Sequence, residues 1–221
     1  QTSYPWGTDM EVLNGEQNKP PMIQVRAVRN LLLHLDCQKS MEPDGIHQRG
    51  VRELVEAIAK SLPVIYQCSC STGEVAEDWK LANLTPIYKK CCKEDQGNYR
   101  PASLTSVPGE VMEQIIMREI TQHVQDSQGI RPSQHGFMKG RSCLTNLISF
   151  YDQVTCLVDE GKVVDIVYLD FRKEVFDSTS HSILLEKVAA HGLERYSHCW
   201  VKNWLDGRAQ RVVVNRVKSS W

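Results

Sequence analysis

Apolar residues first recur at helical spacing near residue 23, where Val25, Val28, Leu32 and Leu35 fall three or four apart and so share one face. Ahead of them, residues 1–21 carry Pro5, Gly7, Gly15, Pro20 and Pro21 among polar residues with no apolar period, the pattern of a linker or disordered terminus. Residues 36–45 interrupt the helix. A second helix is predicted where Val51, Leu54, Val55, Ile58 and Leu62 share a face, with Pro63 marking a kink or restart. Between Trp79 and Ser106 the texture changes to strand and loop: Leu84, Thr85 and Ile87 suit an extended segment, and Asp95, Gln96, Gly97 and Asn98 a turn. Pro108 stands where a helix begins, and Val111, Ile115, Ile116, Ile120 and Val124 carry it towards Gly129. A Gly- and Arg-rich loop, 129–142, precedes another helix over 143–160. The short β-branched run 163–171 then predicts a buried central strand closing on the carboxylate Asp170. Helices around 182–191 and 195–205 and a strand over 211–217 complete an α+β pattern.

Composition narrows this picture without changing it. The chain has 221 residues, 41% of them hydrophobic and 24% charged, which is ordinary globular composition with enough apolar material for a sizeable core. With 26 basic against 27 acidic residues, any surface for a polyanion has to be local. The eight cysteines are scattered and no secretory signal precedes them, which favours a reducing, intracellular setting over a disulfide framework and over secretion. Neither Cys68 with Cys70 nor Cys91 with Cys92 has a second pair at zinc-ligand spacing, so both read as ordinary thiols. No apolar run approaches the roughly 20 residues needed to span a bilayer, so no membrane role is expected. The chain opens on Gln1 and is expected to be part of something longer.

Five motifs then occur in order. They are Lys39-Ser40-Met41-Glu42-Pro43-Asp44-Gly45; Asp78-Trp79-Lys80-Leu81-Ala82-Asn83-Leu84-Thr85-Pro86-Ile87-Tyr88-Lys89-Lys90; Asn98-Tyr99-Arg100-Pro101-Ala102-Ser103-Leu104; Gln134-His135-Gly136-Phe137-Met138-Lys139-Gly140-Arg141-Ser142; and Tyr168-Leu169-Asp170-Phe171, followed by Phe176-Asp177 and His181-Ser182-Ile183-Leu184-Leu185. Singly each is weak; together they resemble the reverse transcriptases of non-LTR (LINE-type) retrotransposons, particularly the jockey and chicken-repeat clades. Two departures stand out. Glu42 replaces a family Gly, and the segment from Asp170 to Phe176-Asp177 is one residue longer than the family's Asp-x-x-x-Ala-aromatic-Asp.

The resemblance implies roles residue by residue. Asp170 becomes the first catalytic, metal-binding carboxylate of a two-Mg²⁺ nucleotidyl transfer, although from the strand alone a carboxylate capping the next turn of chain is the plainer reading. Lys89, Lys90 and Arg100 become the cations that hold the incoming triphosphate; for the two lysines a solvated strand edge is the competing explanation, and for Lys93, beside Glu94 and Asp95, it is the better one. Lys139 and Arg141 become nucleic-acid contacts on a basic loop that is otherwise only a polar connection. Phe176 becomes the bulky residue under the nucleotide sugar, a role the extra residue complicates, since a one-residue slip in an extended segment turns a side chain to the other face. Asp170, Asp177 or His181-Ser182 do not make a hydrolase, because no strained Gly-x-Ser-x-Gly turn is present. Tyr196, Trp200 and Trp204 at four-residue steps read as a core-facing helix rather than a base-stacking platform.

The expected fold is therefore α+β, a partial right-hand polymerase of fingers plus incomplete palm with a helical N-terminal extension. Its divisions are 1–21 linker, 22–78 helical extension, 79–160 fingers and 161–221 the beginning of a palm. Expected partners are an RNA template, a DNA primer and deoxynucleoside triphosphates. The family's Gly-x-Pro-Gln-Gly and Ala-Asp-Asp blocks do not occur, and no Asp-Asp pair is found anywhere in the chain. Three readings remain: a polymerase domain incomplete by itself, a non-catalytic nucleic-acid-binding or inert relic of a mobile element, and a protein-interaction module without positive support in the sequence.

Overall fold

The computed structural model describes residues 20, 22–38, 43–127, 129–169, 179–215 and 217–221. The chain forms two compact units, Gln1–Ile116 with Gly192–Trp221, and Met117–His191.

In the first unit, the expected amphipathic helix is α1 (Val25–Leu33), which buries Val28 and Leu32. The predicted second helix is two. α2 (Gln48–Glu53) stops at Leu54, whose φ of −99° and ψ of 14° leave the helical region, and α3 (Val55–Thr72) then runs without interruption through Pro63. The break at Leu54 therefore lies nine residues ahead of the proline. Pro63 withholds one backbone N–H, but Ala59, Leu62, Tyr66 and Cys70 are all buried on the same helix, and that packing holds it across the missing bond. α3 ends on Gly73 in the left-handed region (φ 73°). A Cβ there would stand 3.1 Å from Cys199 Cβ, so both conformation and space call for glycine.

The strand texture after Trp79 is an antiparallel pair, β1 (Leu81–Tyr88) and β2 (Tyr99–Thr105), in the register Ala82↔Thr105 to Tyr88↔Tyr99. α4 (Val107–Asp126) begins with Pro108 in its first turn, where a missing N–H costs nothing. α7 (Arg195–Leu205) leads into β3 (Ala209–Val214), which pairs parallel to β1, and β4 (Val217–Lys218) returns against β3. The sheet order is β2-β1-β3-β4. The single last strand expected is thus a hairpin: Val214 pairs with Val217, and Asn215 between them takes a φ of 51°, which an Asn tolerates in a two-residue turn.

The core of this unit is assembled from α1, α3, α4 and α7 over β1. Trp200 and Trp204 are buried and stack with ring centroids 5.0 Å apart, in line with the core reading of that helix face. Trp200 Nε1 donates to Ser69 Oγ (3.0 Å), Ser69 Oγ donates to Glu74 O (2.5 Å), and Asn203 Nδ2 donates to Gly73 O (2.7 Å), so the polar atoms at the α3–α7 contact are matched. Tyr66 meets Trp79 edge-on at 5.6 Å and its hydroxyl donates to Pro108 O (2.8 Å).

The second unit holds α5 (Cys143–Asp159) and α6 (His181–Ala190), both near their predicted positions. α5 opens with a capping box, Ser142 Oγ accepting from Thr145 N (3.2 Å) while Thr145 Oγ1 accepts from Ser142 N (2.8 Å). The buried central strand expected over 163–171 is not formed in its described part. Residues 163–169 have no regular structure, and Val163, Val167, Tyr168 and Leu169 are exposed, Val163 by 93%. A β-branched run becomes a strand only where a neighbouring ladder satisfies its backbone and a second surface covers its side chains. All four described strands lie in the first unit, so this run meets neither condition.

Candidate nucleotide and nucleic-acid interface

The basic segment of the first unit is built on the β1–β2 hairpin. Ile87 faces Arg100 across the pair, and Lys89 N donates to Asn98 O (2.8 Å), which carries the ladder one step past the end of β1. Alternation along the strands then puts Lys89 on the face of Ile87 and Arg100, diagonal to Arg100, a spacing of about 7–8 Å between such positions. The structure thus brings Lys89 and Arg100 to one face of one hairpin, while Lys90 and Lys93 lie in the loop beyond. Lys89, Lys90 and Arg100 are exposed, and no carboxylate among the described residues pairs with them. Lys80, by contrast, is tied to Glu77 at 2.9 Å.

The loop between these strands is held by side chains that the apolar pattern does not single out. Tyr88 and Tyr99 pair across the hairpin with centroids 5.6 Å apart; the Tyr88 hydroxyl donates to Cys91 O, and the Tyr99 hydroxyl to Lys93 O (2.9 Å). Asp95 Oδ1 accepts from Gly97 N (2.8 Å), and Asn98 Nδ2 donates to Cys92 O (2.9 Å). Lys93 Nζ stands 5.6 Å over the Tyr88 ring. The one sequence signal for the tyrosines is their symmetric placement on either side of a turn. The cysteine and glutamate in this loop interact as well: the Cys92 thiol donates to Glu94, which holds that carboxyl below its usual range.

In the second unit, Arg141 is partly committed to its own loop. Nη1 donates to Pro132 O and to Gln134 O (2.7 Å), and His135 Nδ1 lies 3.0 Å from Thr145 Oγ1. Arg141 therefore shapes the loop that presents Lys139, which is exposed. Phe137, at a φ of 58°, stands out from the same loop. Asp170 and Phe176 lie outside the described residues, as do Glu42, Glu174 and Asp177. Among the described residues no three His, Cys, Asp or Glu side chains gather into a place for a metal ion.

Against known proteins, residues 89–220 match the reverse transcriptase (RNA-dependent DNA polymerase) family, which is more than half of the chain. The chain belongs to this family. It is similar to the retrovirus-related Pol polyprotein from type-1 retrotransposable element R1 of Bradysia coprophila, 29% identical over 76% of this chain and 17% of that protein. The RNA-directed DNA polymerase from mobile element jockey of Drosophila melanogaster is 25% identical over 90% of this chain and 22% of its own length. The Pol polyprotein from element R2 of Popillia japonica is 25% identical over 64% of the chain and 19% of the protein. The chain thus spans about a fifth of the length of these relatives. The reverse transcriptase match starts at Lys89 and takes in Arg100, Lys139, Arg141, Asp170 and Phe176. The fold, a mixed α and β chain with a small mixed sheet, is compatible with part of such an enzyme. No described helix is long and apolar enough to cross a membrane.

Proposed function

We propose that this chain supplies the fingers and the first palm segment of an RNA-directed DNA polymerase of a LINE-type mobile element. The observation that carries the reading is the family match across residues 89–220. In this reading Asp170 is the first catalytic and metal-binding carboxylate, Lys89, Lys90 and Arg100 take the triphosphate of an incoming deoxynucleotide, Phe176 lies against its sugar, and Lys139 and Arg141 meet the RNA template and DNA primer. The divisions 22–78, 79–160 and 161–221 are the extension, fingers and palm of that assembly.

The family depends on divalent metal, and Mg²⁺ is the ion we assign; when bound, it neutralises charge on phosphate oxygens. The described residues gather no metal site, so their own contribution to the chemistry is that of the cations. Two cations on one rigid hairpin face, neither paired with a carboxylate among the described residues, suit an extended polyphosphate, because charge moving onto the leaving pyrophosphate is met by groups already in place. The hairpin ladder and the two tyrosines supply that rigidity.

A second reading is favoured by two features of the chain itself. Glu42 in place of Gly and the extra residue between Asp170 and Phe176-Asp177 both point to a non-catalytic relic of such an element that still binds nucleic acid or has become inert. Titration of a labelled RNA–DNA hybrid at low and moderate salt separates the nucleic-acid-binding readings from the inert relic. A near-neutral chain with local cations is expected to bind weakly, with affinity falling as salt rises. Absence of binding at low salt overturns the nucleic-acid reading and leaves the inert relic.

A further inference from the structure

We propose that Cys91 and Cys92, at the tip of the β1–β2 hairpin, form a dithiol site that captures trivalent arsenicals. Both thiols are free and exposed. Their Cα atoms are separated by one trans peptide, about 3.8 Å. Cys91 holds a φ of 72°, a left-handed conformation uncommon for a residue with a side chain, at a sharp change of chain direction. The backbone on either side of the pair is fixed: the Tyr88 hydroxyl donates to Cys91 O, Asn98 Nδ2 donates to Cys92 O (2.9 Å), and Lys89 N donates to Asn98 O (2.8 Å). The Cys92 thiol donates to the Glu94 carboxylate, which fixes the direction of its sulfur on the loop.

No other cysteines combine these properties. Cys68 is exposed, but the cysteine nearest it in sequence, Cys70, is buried, and Cys37, Cys143, Cys156 and Cys199 have no cysteine adjacent in sequence. A monothiol forms one arsenic–sulfur bond, which a competing thiol readily displaces. With two thiols on a pinned turn the second bond forms within the molecule, so its effective concentration is far above that of any thiol in solution. The reaction is a condensation without redox change. A trivalent arsenic oxide, R–As=O, loses its oxygen as water with the two thiol protons, and two As–S bonds replace the two S–H bonds. This inference goes beyond the polymerase reading and does not rest on it.

The test treats the whole reduced chain with equimolar phenylarsine oxide and measures intact mass, followed by proteolytic mapping. One phenylarsenic unit per chain is expected, on the peptide holding Cys91 and Cys92, removed by 2,3-dimercaptopropanol and retained in the same thiol equivalents of glutathione. Cys91→Gly, which suits the left-handed backbone, and Cys92→Ser are each expected to lose the adduct completely. An adduct mapping elsewhere, one that glutathione strips, one that persists in either variant, or none in the parent chain, overturns the proposal. The mapping on the parent chain decides the matter even where a variant fails to fold.

Discussion

At the residue scale, stability in the first unit rests on a few large side chains that carry matched polar atoms. Trp200 is 1% exposed, stacks on Trp204 and donates to Ser69. Trp200→Ala removes an indole from a packed contact and leaves Ser69 without its donor, so unfolding free energy is expected to fall by about 3–5 kcal/mol, read from a shift in urea midpoint. A loss under about 1 kcal/mol would show that α7 is not part of the core. Glu113 gives a pH-dependent counterpart. Burial raises its pKa above 4.5, Glu110 adds repulsion in the same direction, and Arg208 partly opposes both. A raised carboxyl pKa contributes stability that is complete below the unfolded value and lost as pH rises through the folded one. Glu113→Gln is therefore expected to raise the urea midpoint at pH 7, with the advantage shrinking as pH falls towards 4; an advantage that grows on acidification refutes the assignment. Trp200 and Trp204 were legible as core from their spacing. Glu113 was not, because nothing local marks which polar residue of a helix turns towards a neighbour.

At the scale of elements, the hairpin from residue 81 to 105 shows how strand alternation sorts charge. Lys89 and Arg100 share a face because one follows Ile87 by two residues and the other pairs with it. If that face receives phosphates, Lys89→Ala and Arg100→Ala should each weaken binding to the RNA–DNA hybrid uniformly across sequences and lower the salt slope by roughly one. A slope unchanged in both variants sinks the contact. Helix and strand positions were largely readable in this region, since apolar spacing and turn residues are local properties. The exceptions share a physical pattern. The break at Leu54 and the hairpin at Asn215 depend on single backbone angles, and the run 163–169 depends on a partner strand, none of which the apolar period contains.

At the scale of the whole molecule, the second unit leaves much apolar surface in contact with solvent. Leu144, Leu147, Ile148, Tyr151 and Val158 lie along α5 at steps of a helical face, all exposed, and residues 163–169 add Val163, Val167, Tyr168 and Leu169. Two-metal phosphoryl transfer needs carboxylates converging on both ions, and this polypeptide contains no Asp-Asp pair. Primer extension on an RNA template with Mg²⁺, run beside Asp170→Ala, is expected to show no incorporation by the 221-residue chain. Losing preorganised charge at such a site commonly costs orders of magnitude in rate. Incorporation by the parent and not by the Asp170→Ala control would show that a carboxylate of this chain, with Glu174 and Asp177 nearest in sequence, completes the site.

The sequence by itself determined the family and most of the helices and strands of the first unit, because motifs and apolar periods are written locally. Tertiary structure decided what those elements meet. It set β3 parallel to β1 across more than a hundred residues of intervening chain, placed Trp200 against Ser69, brought Lys89 and Arg100 onto one face, turned part of Arg141 inward to its own loop, and left 163–169 unpaired. The β3–β1 pairing and the Trp200–Ser69 contact depend on partners more than a hundred residues away, and the others on backbone pairing or a hydrogen bond that no apolar period contains. A residue's propensity favours a conformation, but hydrogen-bond partners and covering surfaces come from elsewhere in the chain and determine whether that conformation is kept.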